Sequence, residues 1–211
     1  MRALLLSLFL VAALAPARAE PMTFDFGGER YTVDYQAQVK QPDGTAGQGI
    51  AELTLKDETV DNWTKLIGYH YYPEQVGAPA QAAANLGKYL KEINNDFTYA
   101  LFNTKENDDA IIEFMTWEGN SEIVEFDVFR YARPESGPGV IALQFAQRLK
   151  LKDLSVEEFQ ALRERAVAAM MKAEIGPMRS YFAEQYQNPA TKEQTGPTTA
   201  EQAATPSAAA R

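Results

Sequence analysis

Residues 110–131 read AIIEFMTWEGNSEIVEFDVFRY, and this stretch decides the fold. Two mainly apolar runs, Ala110–Trp117 and Glu122–Tyr131, flank the pair Gly119-Asn120. Glycine and asparagine suit the positive φ angles of a tight turn between two strands. The stretch therefore predicts a β-hairpin, and a hairpin makes its two strands antiparallel.

Five further segments have the alternation or the length of β-strands. The clearest is RYTVDYQAQVK, in which tyrosine, valine and alanine alternate with polar residues, so that one face is expected to be buried. Pro73 ends another strand because it lacks a backbone donor. The five segments are Arg30–Lys40, Ile50–Lys56, Asn62–Tyr72, Phe97–Asn103 and Val140–Leu151.

Two segments change to the helical period. Pro79–Ile93 places alanine and leucine on one stripe, and its proline suits the first turn of a helix. Ser155 and Glu158 have the spacing of a capping box at the start of a second helix. Gly176-Pro177 should break that helix, and a short helical segment is expected beyond the break.

Together these segments predict the order βββ-α-ββββ-α. Short connections join the last four strands, so the sheet is expected to be mainly antiparallel. A doubly wound α/β fold would need strands and helices in alternation. We therefore expect an α+β fold, a single domain in which about six to seven strands pack with two helices.

The two ends of the chain differ from this body. The first residues, MRALLLSLFLVAALAPARAE, combine an early arginine, an apolar run of about a dozen residues and a small-residue cleavage pattern. This predicts a signal peptide over residues 1–19, cleaved after Ala19 and too short to remain as a membrane span. Residues 188–211 have no aromatic residue and no aliphatic residue larger than alanine, which predicts a disordered tail. Residues 20–187 are then the single domain.

Charge and cysteine content narrow the function. Without residues 1–19 the lysine and arginine count falls from 20 to 18 against 29 acidic residues, so the mature chain carries a net charge of −11. Nucleic acids and anionic membranes call for basic patches, so neither is an expected partner. The chain has no cysteine, which excludes disulfides and cysteine metal sites. With the leader, these features predict a periplasmic or secreted protein with no membrane span after cleavage.

The segment DNWTKLIGYHYYPEQ, residues 61–75, holds the only histidine of the chain, His70. On an extended strand, Trp63, Tyr69 and Tyr71 share one face and His70 lies on the other. We expect the aromatic row to belong to the core, with a ligand-lining role as the alternative. For His70 we expect a cross-strand pair or a hydrogen-bonded surface position, with ligand contact as the alternative.

Glu113 is the one charged residue in an otherwise apolar strand. A buried carboxylate is costly unless it is paired, and Arg130 and Arg148 are the candidate partners. Such a pair is either structural or a binding site. Glu125 and Asp127 alternate on the neighbouring strand, and we expect them to solvate an outer face of the sheet.

No catalytic motif is recognisable in the chain. It lacks the nucleophile elbow, the phosphate-binding loop, the zinc-protease motif and the dinucleotide-binding glycines, and one histidine cannot build a multi-histidine metal site. We therefore predict no catalytic residue, no metal, no cofactor and a non-enzymatic protein. Contacts with an unidentified protein or small-molecule partner are assigned to Trp63, His70, Tyr71, Glu113 and Arg130.

Three segments together resemble a known group of proteins. They are Asp61–Ile67 before an aromatic strand, Glu122–Arg130 ending on arginine, and Gly139–Arg148. In this order they resemble uncharacterised exported bacterial proteins whose fold is similar to the PsbP-like α/β/α sandwich. The resemblance covers residues 50–148 and implies that fold, but it implies no agreed activity.

The favoured function is a non-enzymatic binding or accessory domain outside the cytoplasm. One alternative is a small-molecule or lipid carrier with a cleft between sheet and helix. The aromatic row of Trp63, Tyr69 and Tyr71 would line this cleft, with Glu113 and Arg130 as further lining residues. The other is a hydrolase of an unrecognised kind. The helix after Ser155 is expected to turn Arg163 outward and to dock on the body or on another chain. The oligomeric state stays open.

Overall fold

The computed structural model describes residues 22–42, 46–104, 108–117 and 122–187 of the chain. The predicted signal peptide, the predicted disordered tail and the predicted turn at Gly119-Asn120 lie outside these ranges. Across the described ranges, no helix is both long and apolar enough to cross a membrane.

Eight strands form one antiparallel sheet in the described chain. Their bounds are β1 Thr23–Phe26, β2 Glu29–Lys40, β3 Ala46–Leu55, β4 Lys65–Tyr72, β5 Tyr99–Asn103, β6 Ala110–Trp117, β7 Ile123–Ala132 and β8 Val140–Lys150. Their order across the sheet is β1-β2-β3-β4-β8-β7-β6-β5. Each half of the chain thus forms a meander, the two meanders meet along β4 and β8, and β1 and β5 are the edges.

Three helices accompany the described sheet. Their bounds are α1 Pro79–Ile93, α2 Val156–Lys172 and α3 Gly176–Gln187, with a 3-10 turn at Leu151–Asp153. The predicted capping box of α2 is confirmed, because the Ser155 hydroxyl accepts from the Glu158 amide and the Glu158 carboxylate accepts from the Ser155 amide. Helix α1 connects β4 in the middle of the sheet to β5 at its edge.

The sheet separates two cores. Successive strand residues point to opposite faces, and β4, β7 and β8 are buried on both faces along most of their length. On the first face, called the α1 face, the core includes Ala83, Leu90, Ile112 and Phe129. On the second, called the α2/α3 face, it includes Tyr69, Tyr71, Phe126, Leu143, Met170 and Met178. The layers are therefore α/β/α.

The α+β class, the antiparallel sheet and the β6–β7 hairpin are confirmed. The expected strand count and order are wrong, because the described chain has the order ββββ-α-ββββ-α-α. The third helix, α3, is the short helical segment expected after the break near Gly176-Pro177. The missed strand is β1, which joins β2 through Gly27 and Gly28, with φ angles of 61° and 86°. Its four residues are too few to show alternation, although both of its phenylalanines are buried.

Candidate functional site

The five residues predicted to contact a ligand lie on opposite faces of the sheet. Trp63 and His70 lie on the α1 face, whereas Tyr71, Glu113 and Arg130 lie on the α2/α3 face. Tyr71 is almost fully enclosed in the core of that face. One cleft cannot be lined by all five, because the sheet lies between the two groups.

Trp63 corrects the predicted aromatic row. Strand β4 begins only at Lys65 and the chain bends at Thr64, so strand alternation does not extend back to the tryptophan. Its ring belongs to a small cluster with Leu66 and Ala146 on the α1 face. The two tyrosines of the row point into the opposite core. The expectation that all three share one face is therefore wrong.

Glu113 is buried as expected, but its partner is neither Arg130 nor Arg148. Its carboxylate accepts from Arg163 of α2, so Arg163 does not simply point outward as the sequence predicted. The Glu113 side chain is 5% exposed, and its Oε2 has no hydrogen-bond partner among the described residues. Burial raises the pKa of Glu113, and Arg163 opposes this shift. The pair fastens α2 to β6.

Arg130 belongs to a different group of charges, centred on Asp109. Its Nε and Nη2 donate to Asp109 Oδ2 at 2.9 and 2.7 Å. Its Nη1 donates to the carbonyls of Met170 and Ala173, where α2 ends, at 3.1 and 3.0 Å. Arg179 of α3 donates to the other Asp109 oxygen at 3.3 Å. We call Asp109, Arg130 and Arg179 the Asp109 cluster, and it joins the sheet to the α2–α3 junction.

His70 begins a chain of buried polar groups on the α1 face. Its Nε2 lies 2.8 Å from Gln144 Oε1, and the Gln144 amide nitrogen donates to Asp127 Oδ1 at 2.8 Å. Because the amide oxygen faces the imidazole, Nε2 is the ring nitrogen that carries the proton. The imidazole also stacks on Tyr72, with 5.9 Å between ring centroids. Of the two positions expected for His70, the cross-strand pair is confirmed, because Gln144 lies on the neighbouring strand β8, and the surface position is wrong, because the side chain is buried.

Gly68 leaves room for the hydrogen bond between His70 and Gln144. It lies opposite Gln144 in the sheet. A methyl group at position 68 would lie 2.6 Å from His70 Nε2 and 2.7 Å from Gln144 Oε1. Atoms at these distances overlap, so the hydrogen bond between the two side chains requires glycine here.

Glu125 and Arg148 continue the polar chain to the surface. Glu125 pairs across the strands with Arg148, whose Nε lies 3.7 Å from Glu125 Oε2. The guanidinium lies over Trp63, 3.9 Å from the ring centroid, and 38% of the arginine side chain is exposed. We call the following set the polar arc: His70, Gln144, Asp127, Glu125 and Arg148.

Carboxyl groups outnumber cations in the polar arc. Glu125 and Asp127 are 7% and 3% exposed, and Glu52 of β3 adds a further negative charge nearby. Burial raises the pKa of Glu125 to about 7, although Arg148 opposes the shift. Burial, together with the Glu125 carboxylate, raises the pKa of Asp127. Burial lowers the pKa of His70 to about 4, so its imidazole is uncharged near neutral pH.

Glu125 and Asp127 are therefore not the solvated pair that their alternation predicted. Strand β7 lies between β6 and β8, and it is covered on both faces. The sequence reading also misses Gln144 and Asp109. Gln144 is a polar residue within an apolar strand, which is the same signal that marks Glu113. Asp109 lies in a polar loop and carries no comparable signal.

Among the described residues, the polar arc does not have the partners that a catalytic histidine or a metal site requires. A catalytic histidine needs a nucleophile within hydrogen-bond reach. No hydroxyl group of the described residues forms a hydrogen bond with His70, whose partner is the Gln144 amide. The described residues also contain no group of three or more His, Cys, Asp or Glu side chains placed to hold a metal ion. The arc contains two buried carboxyl groups, those of Glu125 and Asp127, and one arginine, Arg148.

A protein-family model matches residues 19–175, well over half of the chain. The chain belongs to this family. The family is uncharacterised, so membership assigns no activity. The match includes the whole sheet, α1, α2 and the polar arc, and it ends before α3 and Arg179. No curated protein matches the chain, and no solved structure does.

Proposed function

We propose that the protein is an exported, non-enzymatic accessory domain that binds a positively charged segment of a partner protein at the polar arc. The observation that carries this proposal is the charge imbalance of the arc. Of its two buried carboxyl groups, that of Glu125 has the partly exposed Arg148 beside it, and that of Asp127 accepts a hydrogen bond from the uncharged Gln144 amide. A lysine or arginine side chain of the partner would supply the missing positive charge.

The arc is accessible at its Arg148 end. The 3.7 Å separation between Arg148 and Glu125 exceeds hydrogen-bond distance, so a second cation can approach the carboxyl without breaking a hydrogen bond. The stack on Trp63 holds the guanidinium against the surface. On β2, Tyr35 lies opposite Glu52 and is 37% exposed, which adds an aromatic contact beside a carboxyl group.

The charge of the whole chain supports the same partner class. The full sequence carries a formal net charge of −9. An acidic protein attracts basic partners over a distance and increases their rate of encounter. Buried carboxyl groups at the contact would then give specificity that long-range attraction alone does not provide.

Two glutamate-to-glutamine variants test the site. Glu125→Gln removes a carboxyl group from the polar arc, and Glu164→Gln removes one from the exposed surface of α2. Both replace a carboxyl group by an amide of nearly the same size. Titration calorimetry with a short lysine-rich peptide should show at least about tenfold weaker binding for Glu125→Gln. Glu164→Gln should bind like the wild type. Equal weakening in both variants would mean that only long-range attraction operates.

Export is the second part of the proposal. We infer that residues 1–19 are a signal peptide cleaved after Ala19 and that the mature chain works in the periplasm or outside the cell. The start of the family match at residue 19 supports a boundary at this place. N-terminal sequencing of protein recovered from the periplasm or medium should begin at Glu20. Full-length protein confined to the cytoplasm would contradict export.

The relationship to the PsbP-like fold stays a proposal as well. It is supported by the α/β/α layering, with one helix on one face of the sheet and two on the other. The carrier alternative has less support, because Tyr69 and Tyr71 are each 1% exposed within a packed core. The hydrolase alternative lacks a nucleophile at His70 among the described residues.

A further inference from the structure

Arg148 of the polar arc has a fixed backbone and a loosely held side chain. Its amide donates to the Thr64 carbonyl at 2.9 Å, and it lies opposite Glu125 in the β7–β8 register. Its guanidinium lies over the ring of Trp63, with Nε 3.7 Å from Glu125 Oε2. By contrast, the guanidinium of Arg130 donates to a buried carboxylate and to helix-end carbonyls at 2.7 to 3.1 Å. Another cation can therefore replace the Arg148 guanidinium without breaking a hydrogen bond of this kind.

The place that the Arg148 guanidinium occupies has the features of a cation site. The ring of Trp63 packs with Leu66 and Ala146 and is only 6% exposed, so the indole is held in position beneath the guanidinium. The buried carboxyl group of Glu125 lies at the side of this place. A cation there is attracted both by the face of the ring and by the carboxylate.

The shape of this place favours a guanidinium over an ammonium group. A guanidinium is planar and weakly hydrated, so it can stack on an indole and donate in its own plane to a carboxylate at the same time. An ammonium group is compact and strongly hydrated, and it has no flat face. Arg148 itself shows that a guanidinium fits over Trp63 at 3.9 Å. The partner residue that this place suits is therefore arginine.

We propose that Arg148 covers Trp63 only in the free protein, and that an arginine of the partner replaces it, stacks on Trp63 and donates to Glu125. This inference rests on the proposed function, since it concerns the same contact. The incoming guanidinium can approach the carboxyl group more closely, because Arg148 is tied to β8 and its Nε stops at 3.7 Å. The displaced side chain moves into solvent, to which 38% of it is already exposed.

Two arginine-to-methionine variants of equal charge test the replacement. Arg148→Met removes the competing guanidinium, and Arg165→Met removes an exposed one from α2, which packs on the opposite face of the sheet. Titration calorimetry uses oligoarginine and oligolysine peptides of equal length, after circular dichroism has shown that both variants are folded. Arg148→Met should bind oligoarginine at least about tenfold more tightly than the wild type does, and Arg165→Met should bind it like the wild type.

The same titrations contain the results that would overturn the proposal. Weaker or unchanged binding of oligoarginine by Arg148→Met would mean that Arg148 does not compete with the partner. Equal affinity of the wild type for the two peptides would mean that the flat face of the guanidinium is not recognised.

NMR of the arginine side chains observes the displacement directly. The Arg148 Nε–H signal, identified by its absence in Arg148→Met, lies in the ring current of Trp63 in the free protein. Saturation with oligoarginine should move this signal to the position of an exposed arginine such as Arg165. A signal that keeps its position while the peptide is bound would mean that the cation binds beside Arg148, and the proposal would be wrong.

Glu125→Gln separates this inference from the proposed function. If Glu125→Gln loses binding of oligoarginine while Arg148→Met gains none, the arc binds the cation and only the replacement of Arg148 is wrong. If Glu125→Gln binds oligoarginine like the wild type, or if neither peptide binds to any of these proteins, the proposed function fails and this inference fails with it.

Discussion

Two groups of buried charged side chains lie on opposite faces of the same sheet, and they are built differently. In the Asp109 cluster a fully buried carboxylate is met by two arginines, one of which also donates to carbonyls at the end of α2. In the polar arc one buried carboxyl group, that of Glu125, has a partly exposed arginine at 3.7 Å, and the other, that of Asp127, has only the uncharged amide of Gln144 as its hydrogen-bond donor among the described residues.

The difference separates a stabilising contact from a candidate binding site. Breaking a buried ion pair by removing one partner is strongly destabilising, because it leaves the other charge buried. Buried carboxyl groups with too few partners instead have raised pKa values, and they keep the capacity to bind a proton or a cation. The balance between carboxyl groups and arginines therefore distinguishes the two groups, since the Asp109 cluster has two arginines for one carboxylate and the polar arc has one arginine for two carboxyl groups.

The largest expected effect on stability comes from a substitution in the Asp109 cluster. Arg130→Met leaves the buried Asp109 carboxylate with the 3.3 Å contact from Arg179 and removes a donor from the carbonyls at the end of α2. We expect the free energy of unfolding to fall by about 3–5 kcal/mol, because an unpaired charge is left buried. Urea denaturation followed by circular dichroism measures the loss.

Arg30→Met is the matched control for that variant. It also breaks a two-hydrogen-bond arginine–aspartate pair, but that pair is 69% and 65% exposed. Its loss should cost at most about 1 kcal/mol. Adding Asp109→Asn to Arg130→Met should restore part of the lost stability, since no charge is then stranded. Equal losses from the two arginine variants would refute the stabilising role of the cluster.

The pH dependence of stability comes next in size, and it arises in the polar arc. Folding raises the pKa of Glu125 from 4.5 to about 7, so the stability that its protonated form contributes is lost as pH rises through this window. Folding lowers the pKa of His70 from 6.5 to about 4, so its contribution is lost as pH falls through that window. In the wild type the two effects partly cancel.

Single variants separate the two titrations. Relative to the wild type, Glu125→Gln should become more stable as pH rises from 4.5 to about 7. His70→Gln should become less stable relative to the wild type as pH rises from about 4 to 6.5. Each change should be on the order of 1–3 kcal/mol. Urea denaturation at a series of pH values between about 4 and 8 measures both profiles. Three parallel profiles would mean that neither group is perturbed by folding.

Gly68→Ala probes the geometry on which the arc depends. The added methyl group would lie 2.6 Å from His70 Nε2, and the buried side chains around it would have to shift. We expect a loss of about 1–3 kcal/mol in a thermal denaturation comparison. Gly176→Ala is the control, since no atom lies within 4 Å of the new methyl group, and it should stay within about 0.5 kcal/mol of the wild type. Equal losses of stability in the two variants would mean that the effect of Gly68→Ala does not come from overlap with His70 and Gln144.

The smallest expected effect on stability comes from Arg148→Met. Like Arg130, Arg148 accompanies a buried carboxyl group, but its contacts are a half-exposed stack and a loose ion pair. The cost should be no more than about 1 kcal/mol. The variant should still raise the pKa of Glu125, because Arg148 lowers it, and NMR titration of the carboxyl carbon measures this. A cost as large as that of Arg130→Met would remove the contrast between the two groups.

Several elements follow from the sequence with their observed bounds. Pro79–Ile93 and Ala110–Trp117 coincide with α1 and β6, and the capping box at Ser155 is present. Helical periodicity, strand composition and capping all depend on residues that are close in the chain, so a short window contains the information. Strand β1 is not predicted by such a window, because its four residues are too few to show a pattern and their burial depends on the surrounding core.

Which side chains contact each other in the candidate site cannot be predicted from short windows of sequence. His70 and Gln144 are 74 residues apart, and Asp109 and Arg179 are 70 apart. Local alternation indicates which residues of one strand share a face, but it contains nothing about the strands and helices that lie against that face. For this reason Glu125 and Asp127 read as solvated and are in fact buried.

The sequence by itself therefore determined the α+β class, the antiparallel hairpin, the positions of most helices and strands, and the acidic character of the chain. The tertiary structure decided which faces of the sheet are covered, which arginine meets which carboxylate and which carboxyl groups are left with too few partners. The reason is physical: the cost of a buried charge is set by the groups packed around it, and those groups come from distant parts of the chain.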